Sequence, residues 1–150
     1  MDKIDAVILR LLQANARMPG SEIARRVHLS LPAVTERLRK LNESGLILSY
    51  TIHLNKEALG WDTCAFIKVW LNYGESDHII DQVLSLPEVL ECHHIAGDYD
   101  LLLKVRVGGT AELEEFLVKR LKIIQGISRT STTMVLGTYK ESMNRPIEDE

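Results

Sequence analysis

Cysteine is scarce in this sequence: Cys64 and Cys92 are the only two in 150 residues. Two cysteines cannot build the disulfide framework of a small secreted fold, so both are expected reduced and buried in a cytoplasmic protein. No run approaches the ~18–20 consecutive apolar residues that span a bilayer, so no membrane partner is expected. The N-terminus is helix-like and mixed in charge, unlike a secretory signal. A surplus of positive charge is missing too: the net charge is −3. There is no glycine-rich phosphate loop, no nucleophile beside a base and no convincing pair of carboxylates. His93 and His94 are neighbours on a predicted strand and point to opposite faces, so they cannot converge on one metal ion. Neither an enzyme nor a resident metal or cofactor is expected.

What the sequence does have is apolar content, 45%, enough to exclude a disordered chain. Its length allows one core or two small ones. Charge is unevenly spread. Residues 1–60 hold nine Lys/Arg against six Asp/Glu, and residues 61–150 hold nine against fifteen. A basic head on an acidic body suits a head that meets a polyanion, although two domains can also differ in charge by chance.

The head reads as helices. Ile4, Val7, Ile8, Leu11 and Leu12 form an amphipathic stripe, with Asp2 as its cap and Asp5 in the first turn. After the Pro19-Gly20 break, Ser21 is expected to cap a short second helix with Ile23, Ala24 and Val27 inward. A turn through His28, which tolerates a left-handed backbone, leads to Leu31–Ser44. Ser30 is the expected N-cap; because Pro32 has no N–H, its hydroxyl must accept from Ala33. Val34, Leu38 and Leu41 face inward. Gly45 ends the helix in the left-handed region, with Leu46 placed to pack on Leu41. Two helices so joined, with small Ala24 at their crossing, predict a helix-turn-helix. The outward face of the second helix carries Ser30, Pro32, Ala33, Thr35, Glu36, Arg37, Arg39 and Lys40. Small residues near its start let it enter the major groove. Thr35 suits a base edge or thymine methyl, Arg37 a guanine or phosphate, and Arg39 and Lys40 phosphates. The alternative is an ordinary helical pair with a solvated charged face.

Leu48, Tyr50, Ile52 and Leu54 alternate as in a half-buried strand, a wing or connecting strand. The expected organisation is a head over 1–50, a connecting strand or hinge over 51–60, a second domain over 61–140 and a tail over 141–150. In the second domain strands are predicted over Ala65–Tyr73, Val89–Ala96, Leu101–Val107 and Ile127–Leu136, and helices over Asp77–Leu86 and Thr110–Lys122. This βαββαβ order, with an internal repeat at an offset of 38 (Val89 to Ile127), predicts a ferredoxin-like α+β domain. Trp70, Leu102 and Met134 are expected on the sheet face without helices. Self-association through a two-fold axis is the simplest cover for an apolar open face, so at least a homodimer is predicted. The Gly97-Asp98-Tyr99-Asp100 hairpin is either a plain turn or a small-molecule loop. In the second case backbone N–H groups take a carboxylate and Asp98 or Asp100 an ammonium, the two ends of an amino acid.

D-K-I-D-A-V-I-L at Asp2–Leu9, N-A-R at Asn15–Arg17, E-I-A-R-R-V at Glu22–Val27 and L-S-L-P-A-V-T-E-R-L-R-K-L at Leu29–Leu41 form one ordered series. It continues with S-G-L-I at Ser44–Ile47, P-E-V at Pro87–Val89, A-G-D-Y-D at Ala96–Asp100 and Q-G-I at Gln125–Ile127. In order and spacing, this series resembles the Lrp/AsnC, or feast/famine, family of transcription regulators. The resemblance implies a winged helix-turn-helix followed by a RAM-type ligand-sensing domain. It implies dimers that often assemble into octamers, and an amino-acid effector bound near Gly97–Asp100, with Thr132, Thr133 and Met134 contributing. The expected partners are double-stranded DNA, a second copy of the chain and an amino acid, in a cytoplasmic, nucleoid-associated setting. The alternatives are an architectural, weakly specific DNA-wrapping protein, and a small-molecule enzyme or carrier built on the second domain. His28 in the turn and the acidic tail Glu148–Glu150 depart from the family pattern.

Overall fold

The computed structural model describes residues 1–72 and 76–148. The last residue of the first predicted strand, Tyr73, and the tail residues Asp149 and Glu150 lie outside them. The chain divides into two compact units: Met1–His53 together with the segment from Lys140 on, and Leu54–Tyr139.

The first unit contains α1 (Lys3–Ala14), α2 (Gly20–Arg26) and α3 (Leu31–Glu43). A capping box opens α1. The Asp5 N–H donates to Asp2 Oδ1 at 2.8 Å and the Asp2 N–H donates to Asp5 Oδ2 at 2.9 Å. Ser21 does not cap α2. The helix begins at Gly20, two residues earlier than that cap would place it, and the backbone carbonyl of Pro19 accepts from Glu22 and Ile23 instead. His28 adopts φ 55°, and the turn closes on a bond from the Leu29 N–H to the Ala24 carbonyl. The core is Ile8, Leu9, Ile23, Ala24, Val34 and Leu41. Leu9 joins this core and Val7 does not, while Ile4, Leu11 and Leu12 of the predicted stripe pack against it. Full burial of an aliphatic side chain such as Ile8, Ile23 or Val34 contributes roughly 1.5–3 kcal/mol. Gly45, at φ 74°, ends α3 as expected, but the packing residue beyond it is Ile47. The Ile47 N–H donates to the Leu41 carbonyl at 3.1 Å, while Leu46 stays exposed. The tail returns to this unit: Ile147 packs on its core, and the Gln13 side-chain amide bonds the backbone of Arg145 and Ile147.

No strand forms over Leu48–Leu54, so no wing is present among the described residues. The alternation is there, but a strand needs a neighbour for its backbone, and this stretch has none. Leu48 is 91% exposed and Ile52 70%.

The second unit contains β1 (Thr63–Leu71), α4 (Ser76–Leu84), β2 (Val89–His94), β3 (Leu101–Val107), α5 (Thr110–Glu115) and β4 (Ile127–Met134). The strands form one antiparallel sheet in the order β2-β3-β1-β4, the split arrangement of the ferredoxin-like plan. The repeat shows in the strand starts: 63 to 101 and 89 to 127 are both 38 residues apart. Ala65, Ile67, Val69, Leu101, Leu103, Val105 and Val107 form the buried face, covered by Ile79, Val83, Leu113, Phe116, Leu121 and Ile124. The predicted α-helix to Lys122 instead widens after Glu115 into a π-helical stretch, Phe116–Leu121. The widening suits the spacing of Phe116 and Leu121: five residues apart, both are buried in the same core. Cys64 is buried and Cys92 half-buried, and both are free thiols.

Candidate nucleic-acid interface and effector loop

Helix α3 presents the first candidate surface. Ser30, Pro32, Thr35, Glu36, Arg39 and Lys40 are exposed and Ala33 is half-buried. The Ala33 N–H donates to Ser30 Oγ at 3.4 Å, the bond expected once Pro32 removes the nearer donor. That hydroxyl keeps its own proton for an outside acceptor. Thr35 Oγ1 donates back to the Leu31 carbonyl at 3.0 Å, so its hydroxyl can accept but not donate. Glu36, Arg39, Lys40 and Glu43 form one exposed stripe. Arg39 donates to both oxygens of Glu36, at 2.7 and 2.8 Å, and to Glu43; Lys40 Nζ lies 3.7 Å from Glu36. The Arg39 guanidinium holds the Glu36 carboxyl at about 2, well below the usual carboxylate range.

Arg37 is placed differently from the rest of the polar face of α3. Its guanidinium points back to α1, where Nη1 bonds Asp2 at 2.6 Å and Asp5 at 2.7 Å, and its side chain is only 28% exposed. From the sequence, Asp2 and Asp5 show only a helix-start role. The contact across 35 residues of chain leaves no local signal in the sequence. The backbone N–H of Asp5 and then the guanidinium of Arg37 lower the Asp2 carboxyl from its ordinary value. On α2, Arg25 and then Arg26 hold Glu22 at about 2.

The second candidate surface is the hairpin between β2 and β3. Asp100 is committed to the fold: its N–H donates to the Val69 carbonyl at 2.9 Å and its carboxylate accepts the Leu71 N–H at 2.7 Å. Of the two carboxylates expected to take an ammonium, Asp98 alone is exposed and without such a task. Tyr99 meets Trp70 edge-on at 5.9 Å and lies 5.0 Å from Lys68 Nζ, while Arg129 stacks 4.6 Å above Trp70. Lys68, Trp70 and Arg129 thus join the hairpin on the open sheet face. Arg129 escaped the sequence reading because its position opposite Trp70 depends on the β1–β4 register.

Thr132, Thr133 and Met134 do not join the hairpin within one chain. They pair with Ile67, Phe66 and Ala65, whereas the hairpin bonds Val69 and Leu71. Along β1, Phe66 lies about 13 Å from Trp70, and Ile67, opposite Thr132, lies about 7 Å from Val69. The same register turns Met134 to the helix side, across from Ala65, and gives the predicted open-face position to Thr133. A depression of about 300 Å³ on this unit, lined by Gln82, Leu86, Arg120 and Ile124 among others, includes no residue of either candidate surface. No helix among the described residues is long and apolar enough to cross a membrane.

Similar proteins place both surfaces in context. Residues 1–42 match the AsnC-type helix-turn-helix domain, and residues 64–145 match the Lrp/AsnC ligand binding domain. The HTH-type transcriptional regulator FL11 of Pyrococcus horikoshii is 36% identical, over 99% of this chain and 97% of its own length. The leucine-responsive regulatory protein of Escherichia coli is 36% identical, over 95% of this chain and 88% of its own. Among solved structures, a transcriptional regulator of Neisseria meningitidis in complex with L-methionine superposes with a TM-score of 0.91 at 28% identity, covering 97% of this chain and 96% of that one. AsnC of Escherichia coli superposes with a TM-score of 0.88 at 27% identity, covering 96% and 97%.

Proposed function

The chain belongs to the Lrp/AsnC family of transcriptional regulators, and from that premise we propose that it binds DNA sequence-specifically through α3, as a dimer or larger assembly governed by an amino acid. The observation that carries the reading is the exposed edge of α3. Ser30, Pro32 and Thr35 are small and exposed near its start, and Arg39 and Lys40 follow on the same helix. Small residues admit the helix to the major groove, Thr35 meets a base edge, and Ser30, Arg39 and Lys40 meet phosphates. Arg37 is left out of the contact set, since Asp2 and Asp5 occupy it.

Assembly is proposed through the open sheet face, where Phe66 is exposed and Trp70 and Leu102 are half-buried. The effector site is proposed to be shared between subunits, with the Gly97–Asp100 hairpin of one and Thr132–Met134 of another. Within one chain Thr132–Met134 lie opposite Ala65–Ile67 of β1 while the hairpin bonds Val69 and Leu71, so a second subunit is proposed to complete the site. Asp98 takes the ammonium and the hairpin N–H groups take the carboxylate. The class of effector follows the relatives, one named leucine-responsive and one solved with L-methionine.

The test is binding of the full chain to a duplex selected from a random pool, followed by fluorescence anisotropy. Thr35→Asp, which adds a negative charge to the proposed contact face, is expected to abolish binding while leaving the melting temperature within a few degrees. Unchanged binding by Thr35→Asp would reject α3 as the reading helix. Equal affinity for selected and scrambled duplexes would favour a DNA-wrapping role instead. A thermal-shift screen against the twenty amino acids addresses the effector, because a ligand of the native state raises the melting temperature.

A further inference from the structure

The exposed stripe of α3 carries no net charge. Glu36 and Glu43 bring two negative charges, Arg39 and Lys40 two positive ones, and Arg37 is turned away to Asp2 and Asp5. A helix meant only to adhere to a polyanion gains nothing from this composition. Each carboxylate brought to the duplex surface is repelled by phosphates, and each occupies donors that a phosphate needs. Arg39 is held from both sides: its Nε and Nη2 close a two-bond fork on Glu36, and its Nη1 bonds Glu43 one turn further on. To meet a phosphate or a guanine, Arg39 must leave or share these partners. The exchange is favourable only where the DNA offers Glu36 a donor in return. In the major groove such donors are the exocyclic amines of cytosine and adenine. Glu43, near the C-terminal end of α3, is too far along the helix to share that base and acts on charge alone.

We infer that Glu36 and Glu43 are specificity-determining residues: both suppress binding to DNA of arbitrary sequence, and Glu36 in addition reads an exocyclic amine in the major groove. This rests on the reading of α3 as the DNA-contacting helix. The pairs are exposed and form within one helix, so they cost the free protein little to make or break. Their consequence is felt when DNA competes for Arg39. The acidic positions then subtract from the sequence-independent attraction shared by all sites and leave the matched site favoured.

The experiment compares the full-length wild type with Glu36→Gln and Glu43→Gln on the selected and scrambled duplexes across a salt series. Both changes are nearly isosteric and lie on an exposed surface, and melting temperatures verify that each variant is folded. Both variants are expected to bind the scrambled duplex several-fold more tightly. Their log affinity should fall with log salt more steeply by about one, for the single added phosphate neutralised. A third variant, Glu36→Ala, which removes the acceptor altogether, should reduce the preference at one base pair from ~10-fold toward parity, while Glu43→Gln keeps the wild-type base preference. Unchanged scrambled-duplex affinity and slope in both variants would overturn the inference, as would a wild type that does not distinguish the duplexes. Thr35→Asp separates the two levels. If it leaves binding intact, the reading of α3 is lost. If it abolishes binding while both glutamine variants behave as wild type, only the role of the glutamates is lost.

Discussion

The Asp2–Arg37–Asp5 cluster makes the first turn of α1 and the middle of α3 depend on one another. Arg37 has a planar fork of donors that reaches two carboxylates, which a lysine cannot reproduce. Arg37→Lys and Arg37→Ala are both expected to lower the melting temperature of the first unit, alanine more, and to speed amide hydrogen exchange along α1. Exchange as slow as wild type would show the cluster to be dispensable. Asp2, together with Glu22 and Glu36, sets an acid limit. Glu22 and Glu36 titrate at about 2 in the folded protein against an ordinary 4.5, and Asp2 below its ordinary 3.8. Folding therefore lowers their proton affinity. Their contribution is complete above the ordinary values and is lost as pH falls through the folded ones. The α1 amides should lose protection as pH falls below the ordinary carboxylate range, and Asp2→Asn should reduce that drop. A pH-independent α1 would contradict it.

At the scale of elements, α3 is bounded by chemistry that a sequence displays openly. Ser30 with Pro32 fixes its start and Gly45 its end. A Cβ at Gly45 would meet nothing within 4 Å, so Gly45→Ala isolates backbone strain. It is expected to cost about 1–2 kcal/mol in a denaturant melt of the first unit, the penalty of a left-handed alanine. A cost near zero would mean that the chain can leave α3 by another route. Such boundaries were legible because each depends on residues a few positions apart, as were the strand starts that repeat at 38. Features that depend on distant partners were not. Alternation at Leu48–Leu54 signals a strand only where a neighbour pairs with it. Apolar spacing at Phe116 and Leu121 fits a π turn only once the core position of both is known. Asp100 looked free because nothing local shows that its carboxylate closes on the Leu71 N–H.

For the whole molecule, the sheet is where sequence and assembly meet. The phase of β1 and β3 placed Trp70 and Leu102 on the open face correctly, whereas the register of β4, set by pairing with β1, moved Met134 away from it. Phe66→Glu and Trp70→Glu each place a charge on that face. Both are expected to shift sedimentation at micromolar concentration from an assembly to a monomer, while far-UV circular dichroism stays as in wild type. A wild type that sediments as a monomer would remove the proposed assembly altogether. Another long-range feature bears on how the protein is made. Ile147 packs on a core formed by α1, α2 and α3, and Gln13 grips the backbone at Arg145 and Ile147. During synthesis these three helices emerge before the sheet, yet their last apolar neighbour emerges only after every strand of it. The first unit is thus completed only after the whole sheet has been made, and a nascent chain that stops short of Ile147 lacks a half-buried neighbour of that core.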